Sequence, residues 1–457
     1  MARKLFGTDG VRGVANQQLT PELALSLGRA AGQWLHNCGA VKRAVVGRDT
    51  RQSGTMLESA LAAGLASAGV SVVSVGIAPT PAIAFVARTQ DFGLGCIVSA
   101  SHNPAPDNGI KFVGHNGEKL SDETEEAIER EMATPAERTT GGDVGHIETN
   151  LDLLQAYENF LVELLPSGLR GLRVAVDAAH GAAYEIAPRV LRRLGAMVEV
   201  MGVTPDGVNI NAEGGATKPQ TIQTFTVQSG ASVGVAFDGD ADRAIFSDET
   251  GRLINGDRMV GAWAAQRQEQ GTMVPPVVVG TLMSNGGFAD FLHSRGIRLE
   301  RAPVGDKYVA AKIQETHALI GGEQSGHIII PKFGPTGDGL VTMLEFLRVM
   351  TQQGRTASSY LDDYEPWPQL LVNVAVNDIS KWKETLVNDL TAVEKELEGI
   401  GRVVVRASGT QPMIRVMVEA STYQARDAAA ARLVNKLISQ LGGRVEGRVD
   451  LTHALGD

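Results

Sequence analysis

One serine stands in a loop whose other residues favour phosphoryl chemistry. Ser101 lies within "GCIVSASHNPAPDNGIKF" (residues 95–112), with His102 directly after it and Lys111 ten residues further on. Asn, Pro, Asp and Gly residues restrict this loop to few conformations. Ser101 is not in a G-x-S-x-G sequence, so it does not resemble the nucleophile of an α/β-hydrolase. A hydroxyl held among cationic groups could carry a phosphoryl group; a plain turn serine is the alternative.

Three aspartates at alternate positions predict a metal site. Asp238, Asp240 and Asp242 lie in "FDGDADR" between the apolar runs "VGVAF" and "AIF". In an extended strand their carboxylates would be about 6–7 Å apart on one face. To share one cation the loop must curl, which Gly239 permits. Hard carboxylate oxygens suit Mg²⁺; a solvated acidic turn is the alternative.

Two other interpretations of the aspartate loop compete with the Mg²⁺ site. The spacing Asp238, Asp240, Asp242 and Glu249 partly matches an EF-hand, but Arg243 stands where that loop needs Gly. The flanks also read as strands rather than helices. The second alternative is an aspartyl phosphatase, with Asp238 as nucleophile and Asp240 as acid or base.

Other loops carry groups that could bind a phosphorylated sugar. In "GGEQSGHIII", an extended chain would place an acid, a hydroxyl and an imidazole on one side, where they could bind sugar hydroxyls; a Gly-rich turn is the alternative. In "VVRASGTQPMIRV", arginines and a tight turn favour a phosphate site; a hairpin with solvated arginines is the alternative. The candidate residues are Glu323, Ser325, His327, Arg406, Ser408, Gly409, Thr410 and Arg415.

Strands and helices alternate along the chain in a repeated pattern. β-branched runs alternate with Ala/Leu-rich stretches, which predicts an α/β fold with largely parallel sheets. "AVVGRDTRQSG", "VAVDAAHGAAY" and "VVVGTLMSNGG" each read as strand, polar loop and helix, about a hundred residues apart. We therefore expect three copies of one unit. The polar loops follow strand carboxyl ends, where open α/β sheets bind ligands; Arg12 and Lys307 are further candidates at this edge.

The carboxy-terminal part breaks the repeat. "YEPWPQ" (residues 364–369) has two prolines and reads as a linker. The order strand, helix, strand, strand, helix after it predicts a small α+β domain. The expected domains are 1–148 with the serine loop, 149–254 with the metal loop, 255–366 with the sugar-recognition loop, and 367–457 with the phosphate loop.

Composition narrows the class of protein. The chain has 457 residues and a net charge of −10, which argues against a general nucleic-acid binder. It has only two cysteines and no CxxC pair, as expected in a reducing compartment. We find neither a signal peptide nor an apolar run of about 18 residues. The expectation is a cytoplasmic protein without a membrane span.

Four segments in this order, "ASHNP", "DGDADR", "GEQSGH" and "RASGTQPMIR", resemble the α-phosphohexomutase superfamily over essentially the whole chain. "FGTDGVRG", "PDGVNINAEGGAT" and "VGDKYV" resemble the branch that acts on glucosamine phosphates. The resemblance implies three similar α/β domains and a smaller fourth domain around a central cleft. It also implies an isomerase that moves a phosphoryl group between sugar positions 6 and 1 through a phosphoserine and a 1,6-bisphosphate.

The resemblance also implies a role for each candidate residue. Ser101 would carry the phosphoryl group and share Mg²⁺ with Asp238, Asp240 and Asp242, and a hexose 1,6-bisphosphate would act as activator. One departure is Ala241, where the family often has Gly; it is tolerable unless the backbone needs a positive φ. The implied transfer groups are Arg12, His102, Lys111 and Arg243. The implied substrate-binding groups are Lys307, Glu323, Ser325, His327 and the Arg406–Arg415 loop.

Three function classes remain open from the sequence. They are a phosphosugar mutase, a Mg²⁺-dependent phosphatase acting through Asp238, and a non-catalytic metal or sugar-phosphate binding protein. Within the first class, glucose or mannose phosphates are the alternative substrates. A homodimer is suggested by the relatives of this superfamily.

Overall fold

A computed structural model describes residues 5–7, 9–134, 138–408 and 413–455 of the chain. Four β-sheets with flanking helices follow one another along the sequence. The first comprises β1 (Val11–Val14), α1 (Pro21–Asn37), β2 (Arg43–Arg48), α2 (Ser53–Ser67), β3 (Ser71–Ile77), α3 (Thr80–Thr89), β4 (Leu94–Val98), β5 (Asp107–Gly114), α4 (Asp122–Ala133) and β6 (Ile147–Thr149).

The second and third units follow directly. The second comprises α5 (Leu153–Glu163), β7 (Arg173–Asp177), α6 (Ile186–Arg193), β8 (Met197–Met201), α7 (Pro219–Gln228), β9 (Val233–Phe237), β10 (Ala244–Asp248) and β11 (Leu253–Ile254). The third comprises α8 (Gly256–Glu269), β12 (Val277–Thr281), α9 (Gly286–His293), β13 (Arg298–Ala302), α10 (Asp306–Thr316), β14 (Gly321–Gly322), β15 (Ile328–Ile329) and α11 (Gly339–Gln353).

The repeat expected from the loops is present in the strand order. The sheets contain the orders β5-β4-β2-β3, β10-β9-β7-β8 and β15-β14-β12-β13. In each, three strands are parallel and the first-named strand is antiparallel to its neighbour. The sheets are therefore mixed rather than purely parallel. Each antiparallel strand follows its neighbour through a hairpin. Every unit therefore has a loop tip at this hairpin, between β4 and β5, between β9 and β10, and between β14 and β15.

The described part of the last domain is built on an antiparallel sheet. It comprises β16 (Gln369–Val376), α12 (Trp382–Glu396), β17 (Gly401–Ala407), β18 (Met413–Ala420), α13 (Tyr423–Leu441) and β19 (Gly443–Asp450). The strand order is β17-β18-β16-β19. The sequence analysis missed β19, because "GRVEGRVD" is mostly polar and exposed on both faces. Its backbone pairing with β16 decides its conformation.

Apolar packing joins the second and third units and leaves the last domain its own core. One cluster of buried side chains includes Phe237 and Phe246 of the second sheet and Phe346 of α11. A separate cluster lies between the last sheet and its two helices. Helix α1 begins with Thr20 as its N-cap and Pro21 in the first turn. Among the described residues no helix is long and apolar enough to cross a membrane.

The segment read as a linker is held at one end by the third unit. Asn285, the N-cap of α9, accepts a hydrogen bond from the backbone N–H of Trp367 at 2.8 Å and donates one to its carbonyl at 3.0 Å. Gln369, the last residue of that segment, already belongs to β16. The connection to the last domain is therefore anchored at a defined point.

Candidate active site

Ser101 lies at the hairpin tip between β4 and β5 of the first sheet. Its backbone has φ +52°, in the left-handed region that a non-glycine residue seldom adopts. Its hydroxyl donates a hydrogen bond to Asp238 Oδ2 at 2.6 Å and lies 3.4 Å from His102 Nδ1. Ser101 is buried. The structure thus brings the candidate serine and the first candidate metal ligand into direct contact, although 137 positions separate them.

The aspartate loop forms the equivalent tip of the second sheet, between β9 and β10. Asp238, Asp240 and Asp242 are buried, and one oxygen from each lies within 4.8 Å of the others. The loop has curled as the shared-cation hypothesis required. Because both flanks are strands of one antiparallel hairpin, the EF-hand interpretation is wrong.

The donor set fits a hard divalent cation. Oδ1 of Asp240 and Oδ1 of Asp242 are buried without a hydrogen-bond partner among the described residues. Burial and the neighbouring carboxylates of Asp242 and Asp240 raise the pKa of Asp238 well above its ordinary value. Three buried carboxylates ionise together only when positive charge lies between them, and Mg²⁺ prefers oxygen ligands such as these carboxylates.

Two small residues shape the metal loop. Ala241, at the position where the superfamily often has Gly, adopts φ +57°. The backbone therefore does need a positive φ here, which is the case in which alanine was expected to be unfavourable. A left-handed alanine costs about 1–2 kcal/mol in backbone conformation. Gly239 does not need a positive φ; a Cβ there would lie 2.5 Å from the carbonyl oxygen of Ser101. Close approach of the two loop tips therefore requires glycine at this position.

Lysine and arginine side chains surround the serine and the aspartates. Lys111 Nζ lies 3.0 Å from Asp240 Oδ2 and 3.2 Å from Asp9 Oδ2. Burial opposes the charge of Lys111, but Asp240 and Asp9 outweigh it and raise its pKa. Lys111 is therefore protonated at neutral pH, as a group that stabilises negative charge must be. Arg12 also forms an ion pair with Asp9.

Asp9 is a residue that the sequence analysis missed. Its carboxylate contacts Lys111, Lys119 and Arg12. Burial disfavours its ionisation, but these three cations hold the pKa of Asp9 well below its ordinary value. It lies in "FGTDGVRG", three positions before Arg12, so the motif itself contained the signal. Lys119 also forms an ion pair with Asp306 in the third unit.

Two histidines near the aspartates have opposite electrostatic surroundings. Burial, together with Arg243 and Arg12, lowers the pKa of His102 to about 4. Burial also disfavours protonation of His327, but Asp242, 3.5 Å from its Nδ1, raises the pKa of His327 to about 9. At neutral pH His102 is thus a neutral imidazole and His327 a cation.

A cavity of about 300 Å³ opens in front of Ser101. Its walls come from the first three units, including the predicted residues Arg12, Ser101, His102, Asp242, Arg243, Lys307, Glu323 and His327. Asp9, Asp306 and Tyr308 complete the polar wall. Lys307 Nζ lies 3.4 Å from Asp122. A hydroxyl, cations and carboxylates converge on one space large enough for a monosaccharide.

The sugar-recognition residues lie on a tight turn instead of an extended strand. Residues 323–326 connect β14 to the β-bridge residue His327, and the N–H of Gly326 donates to the carbonyl of Glu323 at 3.0 Å. Glu323 accepts from the N–H of Gly305 at 2.9 Å. The turn separates the three residues, so Glu323 and His327 line the cavity while Ser325 is buried beside it.

The predicted phosphate loop lies on the last sheet. Arg406 and Arg415 are directly opposite residues of β17 and β18, and the N–H of Ser408 donates to the carbonyl of Met413 at 2.8 Å. Nε of Arg415 is buried and has no hydrogen-bond partner in the part of the chain that the structure describes. Gly409 and Thr410 lie outside the described residues. None of the described loop residues lines the 300 Å³ cavity.

Comparison with known families assigns all four units. Residues 3–139, 153–251 and 255–367 match the phosphoglucomutase/phosphomannomutase α/β/α domains I, II and III, and residues 371–436 match the C-terminal domain. The chain therefore belongs to the phosphoglucomutase/phosphomannomutase family, the phosphohexomutases. The predicted fold class is confirmed.

Curated relatives narrow the family further. The chain is 46% identical over 421 residues to the phosphoglucosamine mutase of Desulforudis audaxviator, covering 91% of this chain and 94% of that protein. It is 43% identical over 445 residues to the phosphoglucosamine mutase of Shouchella clausii, covering 96% and 99%. These relatives identify an enzyme of the isomerase class and support phosphoglucosamine mutase as its main function.

Solved structures share the fold at low sequence identity. A phosphoglucomutase/phosphomannomutase family protein of Burkholderia thailandensis superposes with a TM-score of 0.82 at 24% identity, covering 98% of this chain and all of that one. The Aspergillus fumigatus N-acetylphosphoglucosamine mutase, solved with GlcNAc-6P and magnesium, gives 0.65 at 18% identity, covering 95% of each chain. At these identities the likeness concerns the fold alone.

Proposed function

We propose that the chain interconverts glucosamine 6-phosphate and glucosamine 1-phosphate through phosphorylated Ser101. The observation that carries the proposal is the contact of the Ser101 hydroxyl, at 2.6 Å, with a buried carboxylate of a three-aspartate group. A phosphoryl group on this hydroxyl would lie beside the aspartates and Lys111. Phosphoryl transfer depends chiefly on such positioning and charge neutralisation.

The first half-reaction moves the phosphoryl group to the sugar. The O1 hydroxyl of glucosamine 6-phosphate attacks phosphorus on Ser101 in line with the Ser101 Oγ–P bond. The O1–P bond forms, the Oγ–P bond breaks, and the proton leaving O1 is balanced by the proton that Ser101 Oγ takes up. The product is glucosamine 1,6-bisphosphate and unmodified Ser101.

The second half-reaction reverses the chemistry at the other end of the sugar. After the bisphosphate turns over in the cleft, Ser101 Oγ attacks the phosphorus at position 6. The Oγ–P bond forms, the O6–P bond breaks, and the serine proton is balanced by protonation of O6. Glucosamine 1-phosphate leaves and phospho-Ser101 is restored.

The residues around Ser101 have complementary roles in these steps. Asp238, Asp240, Asp242 and the phosphorylated serine would hold Mg²⁺, which when bound neutralises negative charge on the phosphoryl oxygens. Lys111, Arg12 and Arg243 add positive charge from the protein. Lys111 is a poor base because its pKa is raised. The neutral imidazole of His102 lies 3.4 Å from Ser101 Oγ, but its pKa of about 4 makes it a weak base as well.

The remaining candidate residues would hold the substrate. Glu323 and His327 face the cavity and suit sugar hydroxyls, with Lys307 beside them. Ser325, whose buried Oγ has no hydrogen-bond partner among the described residues, would complete this set. The last-domain loop would hold the phosphate that does not react in that half-cycle, through Arg406, Ser408, Gly409, Thr410 and Arg415. Closing this domain over the cleft would exclude water and suppress hydrolysis of phospho-Ser101.

The proposal extends to the cellular setting. A hexosamine 1,6-bisphosphate would activate the enzyme by phosphorylating Ser101. The product would feed synthesis of UDP-N-acetylglucosamine and the cell wall in the cytoplasm, and the protein would act as a homodimer. The domain boundaries 148/149, 254/255 and 366/367 belong to the same proposal.

³¹P NMR of the purified protein tests the function directly. The sample contains Mg²⁺, a trace of hexosamine 1,6-bisphosphate and glucosamine 6-phosphate, with glucose and mannose 6-phosphates in parallel tubes. We expect the 1-phosphate signal to grow fastest from glucosamine 6-phosphate. Faster growth from another sugar would reassign the substrate, and free phosphate without any 1-phosphate would favour the phosphatase through Asp238.

A further inference from the structure

A buried arginine contacts the serine loop from the segment after β2 of the same unit. Arg51 follows β2 and its side chain is fully buried. Its Nη2 donates to the carbonyls of Ser101 at 3.0 Å and Asn103 at 2.7 Å. Its Nη1 donates to the carbonyls of Pro104 and Asp107. Four carbonyls of one seven-residue loop thus converge on one guanidinium group.

The remaining donor of Arg51, Nε, is linked to Ser101 by a series of hydrogen bonds. Nε of Arg51 donates to Asp49 Oδ2 at 2.9 Å, and the hydroxyl of Ser99 donates to the same oxygen at 2.6 Å. Ser99 Oγ in turn accepts from the backbone N–H of Ser101 at 2.9 Å. Both the N–H and the carbonyl of Ser101 are therefore fixed by this network.

An asparagine of the second unit also donates to the carbonyls of Ser101 and Asn103. Nδ2 of Asn211 donates to the carbonyl of Ser101 at 2.9 Å and to that of Asn103 at 3.1 Å. Asn211 lies in "PDGVNINAEGG", between β8 and α7, and is itself in the left-handed region at φ +57°. The serine loop is thus held between two units of the molecule.

These contacts explain how Ser101 keeps an unfavourable backbone conformation. A left-handed serine costs of the order of 1 kcal/mol or more and persists only where its surroundings enforce it. The network binds backbone atoms alone, so it leaves the hydroxyl available to carry a phosphoryl group. The Asp49 carboxylate lies against the guanidinium group, so the charge of Arg51 is compensated and does not compete for phosphate.

We propose that Arg51 and Asn211 are positioning residues, which fix the left-handed backbone of Ser101 and so aim its Oγ at the transfer path. This inference rests on the proposed mutase function. Lysine cannot replace Arg51, since an ammonium group offers three donors without the planar fork that reaches four carbonyls. Misplacement of a reacting group by about 1 Å can reduce a rate about 100-fold.

Single-turnover transfer from the phosphorylated enzyme measures positioning separately from folding. Protein labelled with ³²P by a hexosamine 1,6-bisphosphate is mixed with saturating glucosamine 6-phosphate, and loss of protein-bound label is followed by rapid quench. The amplitude reports the fraction of competent protein. The rate constant reports how well the phosphoserine is aimed, whatever that fraction is.

Three variants decide the matter. Asn211→Gly removes the amide donor and keeps a residue suited to positive φ, and we expect the rate constant to fall about 10-fold; for Arg51→Lys we expect about 100-fold. Thr50→Val is the matched control, because it removes a neighbouring bond between units, from Thr50 Oγ1 to the carbonyl of His180, without touching the serine loop. Its rate constant should stay within about twofold of the parent.

The outcomes separate the inference from the function on which it rests. Parental rate constants in both Asn211→Gly and Arg51→Lys would overturn the positioning role. If Arg51→Lys does not fold, Asn211→Gly alone decides. A parent protein that takes up label but never transfers it to the sugar would refute the proposed mutase function, and the inference with it.

Discussion

The loop after β2 and the loop after β12 occupy the same place in a repeated unit, yet they hold different parts of the molecule. Residues 49–52 bind the serine loop of their own unit through the buried Arg51. Residues 282–285 bind the last domain: the carbonyl of Ser284 accepts from Arg402 at 2.7 Å, and Asn285 binds Trp367. One position in the fold therefore holds the serine loop in one unit and forms an interdomain joint in another.

Both loops use arginine donors on backbone carbonyls, and the difference lies in where the arginine comes from. Arg51 and its acceptors belong to one unit, so their geometry is set when that unit folds. Arg402 of the last sheet donates to the carbonyl of Ser284 in the third unit. Glu419, also of the last sheet, accepts from the N–H of Gly286 at the start of α9. The hydrogen bonds of this joint therefore cross between two units, whereas those of Arg51 lie within one.

The largest expected effect removes the group that the first loop positions. Ser101→Ala should abolish both labelling by the bisphosphate and mutase turnover, by about 10⁴-fold or more, because no other hydroxyl touches Asp238 in the described site. Turnover and ³²P incorporation measure this. Ser294→Ala, at the exposed end of α9, is the control and should behave as the parent. Retained labelling in Ser101→Ala would contradict the assignment.

Gly239→Ala should disturb the fixed loop without removing any functional group. The added Cβ would lie 2.5 Å from the Ser101 carbonyl and 2.9 Å from Asn211 Nδ2, so the two loop tips must separate. We expect kcat to fall about 10- to 100-fold with a smaller change in KM. Gly142→Ala, where a Cβ meets no atom within 4 Å, is the control. Equal kcat for both variants would mean that the tips tolerate separation.

Glu419→Gln should weaken the joint while leaving the fixed loop intact. The Glu419 carboxylate is fully buried and accepts from Arg402 at 2.8 Å, Gln369 at 3.2 Å and Gly286. The glutamine would place its amide N–H₂ against these donors. This loss should lower the free energy of unfolding by about 3 kcal/mol. Urea denaturation measures this, and proteolysis near residues 364–368 should accelerate.

The matched control for the joint is an exposed ion pair of the same domain. Glu396→Gln removes the surface pair with Arg432 and should leave the denaturation midpoint nearly unchanged. If Glu419→Gln were no more destabilising than Glu396→Gln, the joint would not depend on this carboxylate.

The smallest effect on activity is expected at a contact between the second and third units that touches neither loop. Asp338 caps α11 and accepts from the Tyr157 hydroxyl at 2.9 Å; burial raises its pKa to about 6. The unfolded carboxyl ionises near pH 4, so the protonated folded form adds stability at low pH that is lost as pH rises through about 6. This loss amounts to about 3 kcal/mol at most.

Asp338→Asn removes that titration and keeps an oxygen for the helix cap. The free energy of unfolding of the parent, relative to the variant, should therefore decline between about pH 4 and pH 6 and be level above pH 7. Urea denaturation at several pH values measures the difference, and kcat at pH 8 should be unchanged within about twofold. A constant difference across this range would mean that Asp338 titrates normally.

The sequence predicted those parts of the fold and site that depend on residues close together in the chain. The Asp238–Asp242 spacing required a curled turn, and the alternation of strands and helices contained the threefold repeat. Pairing between distant segments left no such signal: β19 is polar on both faces, and Arg51 binds backbone carbonyls, which every residue possesses. Asp9 is a mixed case: its pairing with Arg12 lies within the quoted motif, but its contacts with Lys111 and Lys119 form only after folding.

The repeated strand order has a consequence for how such an enzyme arises. The Ser101 loop, the aspartate loop and the 323–327 turn are the same hairpin tip in three successive units. Duplication of one unit would produce this arrangement, with three equivalent positions around a shared space. Under the proposed function, the three tips would divide the nucleophile, the cation ligands and the sugar contacts among them, so that no single loop would have to provide all three.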